Sequence, residues 1–247
     1  MLPTLLTSCN LLLGFAAIMM MILPQAVGRG GPRLETAVWM IVLAGVLDAI
    51  DGPVARWSGR QPAPWGREFD SLADLVSFGV APAVLIVIAN PDALHLYSIL
   101  FGALFIMAGT WRLARFIWSG SKVPGGRFEG LPITGAGLAI AAFWLFENAL
   151  QGRMMNSTAA FILVCVCSFL MISRIEYEKF PEFGLKDRRN TVKWWIAVTV
   201  ILFIIIKPTL TGLPVALLYL GHGPLRALTK SKLAGVFTRH GSNGGRK

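Results

Sequence analysis

Charge is what this chain of 247 residues has least of: Asp, Glu, Lys and Arg make up 15% of it, against 55% hydrophobic residues. A soluble domain carries about 25% charged residues. That deficit, with a mean hydropathy of +0.62, excludes an ordinary water-soluble fold and points to a polytopic membrane protein built as one helical bundle. Cysteine is also scarce. Cys9, Cys165 and Cys167 all lie in apolar runs, and the last two are too close along one helix to pair, which excludes a disulfide framework. The histidines His95, His222 and His240 are scattered, without metal-ligand spacing. The first apolar run lacks a basic flank and a small-residue cleavage site, so it is expected to be a span and not a signal peptide. No internal repeat is visible, which counts against a cation-coupled transporter built from two matched halves.

Long apolar runs are what the chain does have, at roughly 4–23, 36–55, 71–89, 95–118, 132–150, 157–174, 191–206 and 209–221. A helix needs about 20 residues at 1.5 Å each to cross some 30 Å of hydrocarbon. The first six runs qualify. The last two are shorter and flank Lys207-Pro208, so they read as two tilted spans or one broken hairpin. With a cytoplasmic N-terminus and eight spans, 19 of the 23 basic residues fall inside, and only Arg29, Arg33, Arg153 and Lys207 fall outside. This is strongly positive-inside. The net charge of +10 then reflects topology and contact with anionic lipid headgroups, not nucleic acid. The expected fold is therefore all-α: a transmembrane bundle of about eight helices, with both termini cytoplasmic. Trp111, Trp118, Trp194 and Trp195 read as interfacial belt residues. The basic segment 222–247 is expected to be a flexible tail resting on anionic lipid.

Against this apolar background stand four aspartates: Asp48, Asp51, Asp70 and Asp74. Ionised carboxylates at membrane depth are costly and mark function. Asp48 and Asp51 are three apart, and Asp70 and Asp74 four apart, so each pair shares one helix face. A link from Gly52 to Trp65 lets the two helices run antiparallel and brings the faces together, with Pro53 expected to bend or loosen the first helix. A single such aspartate is more often a proton relay or a salt-bridge partner. Four converging carboxylates suit hard divalent cations, two Mg²⁺ or Mn²⁺ ions. Such a centre suits displacement at phosphorus, with one carboxylate free to take a proton from an attacking hydroxyl. Gly52 allows close approach of a substrate to the backbone, and Arg56 is a natural phosphate partner.

The pattern D-x2-D-G-x2-A-R-x9-G-x3-D-x3-D, running from Asp48 to Asp74, resembles the signature of the CDP-alcohol phosphotransferases. That resemblance implies an integral membrane enzyme with a six-helix catalytic core. Such enzymes move a phosphatidyl or similar group from a CDP-linked donor to an alcohol, releasing CMP. It further implies a two-metal centre on Asp48, Asp51, Asp70 and Asp74, with Asp74 as the general base. Gly52, Ala55, Arg56, Gly66 and Thr7 would lie on the nucleotide and phosphate side. The stretches Ser71–Ala83, Arg112-Leu113-Ala114-Arg115-Phe116 and Phe128-Glu129-Gly130-Leu131-Pro132 resemble the branch whose acceptor is serine, the bacterial phosphatidylserine synthases. At the N-terminus, Pro3, Thr7 and Gly14 echo the family's opening, while Thr4 stands where an asparagine is usual.

The resemblance covers about residues 2–180, so 1–180 is expected to be the catalytic domain and 181–221 additional spans. It implies CDP-diacylglycerol and L-serine as substrates, phosphatidylserine and CMP as products, and a homodimer among the lipids of a bacterial-type inner membrane. Arg112 and Arg115 would bind the serine carboxylate or a donor phosphate, or else serve as interfacial anchors. Ser77 would help select serine, or else pack. Thr7 and Asn10 would touch the nucleotide, or else join helices. Lys122, Arg127 and Glu129 form either a substrate-side loop or a solvated one. Other acceptors within the same family, glycerol 3-phosphate, inositol or choline, remain open at this point.

Overall fold

The structure, a computed structural model, describes residues 2–23, 32–57, 65–90, 95–119, 127–151, 156–178 and 208–241. Its elements are α1 (Leu2–Ile22), α2 (Pro32–Trp57), α3 (Gly66–Asp74), a π-helical segment (Leu75–Val80), α4 (Ala81–Ala89), α5 (His95–Ser119), β1 (Arg127–Glu129), α6 (Ile133–Gln151), α7 (Ser157–Ile172), β2 (Glu176–Glu178) and α8 (Pro208–Gly241). The architecture is helical, with one departure from the all-α expectation: β1 and β2 pair antiparallel as a ribbon of three residues a side. Segments that short carry no readable period-2 pattern.

Among the described residues, four helical stretches are long and apolar enough to cross a membrane: 4–22, 66–89, 95–118 and 133–150. Helix α7 is apolar but shorter. The run predicted at 191–206 lies outside the described residues. The run at 209–221 opens α8, which continues to Gly241, so residues 222–241 are helical where a flexible tail was expected. The glycines and Pro224 in that segment suggest a broken chain, but Leu225–Leu228 and Lys230–Ala234 are rich in helix formers and carry it on. Helix α2 runs through Gly52 and Pro53 to Trp57, so the link expected to begin at Gly52 begins beyond Trp57.

Helices α1 and α2 pack along each other, α6 against α8, and α5 against α7. Phe101 and Phe161 stack between the last pair, ring centroids 4.4 Å apart. Where α1, α5 and α6 meet the middle of the third span, that span is π-helical: the Ala81 N–H bonds to the Val76 carbonyl five residues back. Pro82 supplies the reason. It has no N–H for the Phe78 carbonyl four residues earlier, and its ring would press on that carbonyl in a regular helix. Widening the turn relieves the clash. The displaced carbonyl faces α6 at Gly137, where an added Cβ would stand 2.6 Å from Phe78 O and 2.9 Å from Phe78 Cα. On the other side, a Cβ on Gly14 of α1 would stand 2.7 Å from Ser77 Cα. Two glycines therefore admit the π segment between α1 and α6, and that segment follows directly on Asp74.

Candidate active site

The third span begins with α3, whose Asp70 and Asp74 lie one turn apart on the face toward α2, and α2 presents Asp48 there. One oxygen from each of Asp48, Asp70 and Asp74 lies within 4.8 Å of the others. Asp74 is the deepest, 9% exposed. Asp51 stands beside this triad and outside the close cluster. Its Oδ2 accepts the Thr7 hydroxyl at 2.8 Å, while its Oδ1 is buried with no partner among the described residues. The four charges are mutually repulsive: Asp48 with Asp51, Asp70 with both, and Asp74 with Asp48 and Asp70. Opposing them is Arg112 of α5, buried at 7% exposure, whose guanidinium attracts Asp74 and Asp48. It also lies 5.9 Å from the centre of the Phe116 ring one turn on.

Neutral donors orient the carboxylates. Thr7 and Asn10 are three apart on α1 and reach different aspartates: Thr7 donates to Asp51, and Asn10 Nδ2 donates to Asp74 Oδ1 at 3.3 Å. Thr134, in the first turn of α6, donates to Asp48 Oδ2 at 3.2 Å. Ser77 donates its hydroxyl to the Asn10 backbone carbonyl at 2.9 Å. Sequence reasoning missed Thr134. The signal was faint, a hydroxyl two residues beyond the Phe128–Pro132 stretch, with nothing in its spacing to tie it to Asp48. It also missed Tyr219 of α8, whose ring packs against Gly135 and interacts electrostatically with Arg112.

Of the other predicted residues, Gly52 is exposed in α2 and Gly66 is the first residue of α3. The side chains of Ala55 and Arg56 lie outside the described residues, as do Lys122 and the side chain of Arg127. Glu129 is exposed, and Trp111 and Trp118 are also exposed, as belt residues would be. Arg115 is separated from Arg112 by its partners. Its guanidinium donates to the carbonyls of Ile172 at 3.1 Å, Glu129 at 3.0 Å, Ser173 at 3.2 Å and Met171 at 3.5 Å. Three of these, on Met171, Ile172 and Ser173, are the orphan carbonyls at the end of α7, completed by Leu131 N–H on Leu170 O at 3.0 Å, while the Glu129 carbonyl belongs to β1. A cation at a helix C-terminus is also favoured by the helix dipole. Gly130, with φ of 77°, makes the turn that brings Leu131 there, and a Cβ on it would stand 2.6 Å from Met171 O. Arg115 thus fastens the ribbon and the start of α6 to α7.

Three close carboxylates, with Asp51 alongside and Arg112 near two of them, form an oxygen-rich acidic cluster. That donor set fits a hard divalent cation. Comparison with known proteins agrees with this chemistry. A family model described as CDP-alcohol phosphatidyltransferase matches residues 1–170. The archaetidylserine synthase of Methanothermobacter thermautotrophicus is 38% identical over 186 residues, spanning 74% of this chain and 72% of that protein. The CDP-diacylglycerol–serine O-phosphatidyltransferase of Helicobacter pylori is 30% identical over 228 residues, 92% of this chain and 90% of the relative. Its namesake from Bacillus subtilis is 32% identical over 188 residues, 76% and 94% of the two chains. The chain belongs to the CDP-alcohol phosphatidyltransferase family.

Proposed function

We propose that this family member transfers the phosphatidyl group of CDP-diacylglycerol to the hydroxyl of L-serine, giving phosphatidylserine and CMP. The observation that carries the reaction class is the convergence of Asp48, Asp70 and Asp74 within 4.8 Å, with Asp51 alongside. The choice of serine rests on the relatives: the names of the archaeal and bacterial proteins agree in serine and differ in the lipid.

Two Mg²⁺ or Mn²⁺ ions held by Asp48, Asp51, Asp70 and Asp74 would clamp the phosphate oxygens and stabilise the departing CMP. The chain's own groups do the rest. Asp74 takes the proton from the serine hydroxyl as its oxygen bonds to the phosphorus that carries the diacylglycerol. The bond from that phosphorus to the bridging oxygen breaks, and CMP leaves with the oxygen. Thr7 and Thr134 hold Asp51 and Asp48 in orientation. Arg112, desolvated and beside Asp74, supplies the cation for the serine carboxylate or a donor phosphate. The exposed backbone at Gly52, with Ala55, Arg56 and Gly66, forms the nucleotide side. Arg115 takes no part in substrate binding in this scheme, because its donors are held by carbonyls.

The reading places the site at the cytoplasmic face of a cell membrane, where serine arrives from water and the acyl chains from lipid. It retains residues 1–180 as a six-helix catalytic domain followed by two further spans, in a homodimer. The test is turnover by purified protein. With Mn²⁺ or Mg²⁺, labelled serine and CDP-diacylglycerol should yield phosphatidylserine and CMP in equal amounts, and Asp74→Asn should abolish both. Faster CMP release with glycerol 3-phosphate, inositol or choline in place of serine would reassign the acceptor. Unimpaired turnover by Asp74→Asn would remove that residue from the base role.

A further inference from the structure

The two oxygens of Asp74 are not equivalent in this fold. Oδ1 accepts the Asn10 amide at 3.3 Å. Three residues on, Ser77 donates back to the backbone carbonyl of the same Asn10 at 2.9 Å. The side chain of 10 reaches 74 and the side chain of 77 reaches 10, so two hydrogen bonds close one ring between α1 and the third span. Both residues are sealed from solvent, Asn10 at 1% and Ser77 at 0% exposure. The orientation of the amide follows from chemistry, since only its NH₂ can donate to a carboxylate. Gly14, one turn further along α1, lets the ring close: a Cβ there would collide with Ser77 Oγ.

Stability alone does not account for an asparagine at this position. Its Oδ1 is buried with no partner among the described residues, and an unpaired amide oxygen in an interior is destabilising. The stretch of α1 that follows it, Leu11 to Phe15, carries no polar side chain. We propose that Asn10 is a positioning residue for Asp74, kept in register by Ser77 and Gly14. The amide fixes Oδ1, so Oδ2 is the oxygen that receives the proton of the incoming hydroxyl. This rests on the reading of Asp74 as the base. It replaces nucleotide contact as the role of Asn10, and serine selection as the role of Ser77.

The experiment compares Asn10→Asp, Asn10→Gln, Ser77→Ala and Asp74→Asn in the CMP-release assay, with KM measured for both substrates and thermal unfolding as the check on folding. Asn10→Asp keeps the shape and replaces the donor by an acceptor. Its kcat should fall about 10- to 100-fold, the range expected when a reacting group is misplaced by up to an ångström, while both KM values stay within about threefold of wild type. Asn10→Gln keeps an amide donor and should recover part of the lost kcat. Ser77→Ala should lower kcat by a smaller factor, also without a KM change, and serves as the test should Asn10→Asp fail to fold. A raised KM for CDP-diacylglycerol at unchanged kcat would overturn the proposal and return Asn10 to the nucleotide. Full activity in Asn10→Asp or in Ser77→Ala beside an inactive Asp74→Asn would overturn it while leaving the base reading intact. Turnover by Asp74→Asn would remove the base reading and the proposal with it.

Discussion

Gly137→Ala isolates the packing on which the site depends. The new methyl would lie 2.6 Å from Phe78 O and 2.9 Å from both Phe78 Cα and Cβ. Relief to ordinary contact needs a shift of roughly 0.5 Å or more, and two of those three atoms are backbone, so no side-chain rotation provides it. Overpacking of a close-packed interior costs about 1–3 kcal/mol, here toward the upper end. The gain in helix propensity on replacing glycine by alanine offsets at most about 1 kcal/mol. The net loss is about 1–2 kcal/mol, which for a chain of this size lowers the unfolding midpoint by about 2–8 °C. Phe78 is four residues beyond Asp74 on the same continuous helix, so the shift is also felt by the carboxylate, and kcat should fall about tenfold. Gly221→Ala is the control. Nothing lies within 4 Å of its Cβ, so it should leave the midpoint unchanged or raise it. Gly45→Ala should fall between them, because its close neighbours are the movable Leu138 methyl groups at 2.9 and 3.0 Å. The measurement is thermal unfolding in detergent alongside CMP release. If Gly137→Ala unfolds with Gly221→Ala at undiminished turnover, the π segment does not rest on α6 and the argument fails.

Arg115→Lys keeps the charge but cannot fan out to four carbonyls. It should cost about 1–2 kcal/mol of stability with the KM for serine unchanged, and a raised KM at an unchanged midpoint would restore Arg115 to the substrate side. Thr134→Val and Thr7→Val each leave a half-buried aspartate oxygen without its donor, a loss of about 1 kcal/mol. Both should reduce turnover, whereas wild-type activity would show that the metals alone orient Asp48 and Asp51. Chelation should stop CMP release and added Mn²⁺ or Mg²⁺ restore it, with Asp70→Asn raising the metal concentration needed for half activity at least about tenfold; activity that survives exhaustive chelation would refute a metal centre.

The boundaries of the apolar runs at 4–23, 95–118 and 132–150 nearly coincide with α1, α5 and α6, because a span in hydrocarbon must satisfy its backbone within itself and so announces itself by composition alone. The pairing of Asp70 with Asp74 was legible for a similar reason: helix periodicity is local. What α1 and α6 contribute was not. Thr7 meets Asp51 across 44 positions of sequence and Thr134 meets Asp48 across 86, and no local pattern encodes either contact. Arg112 and Arg115 show the limit most clearly. Three residues apart on one helix end, they look interchangeable, yet one is turned to the aspartates and the other to the end of α7. The difference lies in where α7 happens to finish. The π turn was half legible: Pro82 within a long apolar run signals a disturbed helix, but the glycine that receives the displaced carbonyl is 55 residues further on.

The choice of donors around the aspartates follows from what the site has to bind. A carboxylate buried in a membrane protein is most simply held by a fixed cation, and a lysine at position 7, 10 or 134 would pair with its aspartate more strongly than a hydroxyl does. It would also neutralise the charge that draws a divalent ion, and would compete with that ion for the same oxygens. Threonine and asparagine avoid this conflict. Each donates one hydrogen bond, fixing one oxygen in direction, and leaves the formal charge untouched. Among the described residues, Arg112 of α5 is the arginine that lies near Asp74 and Asp48. The carboxylates are thus oriented by neutral groups, which leave their oxygens without a fixed competing cation.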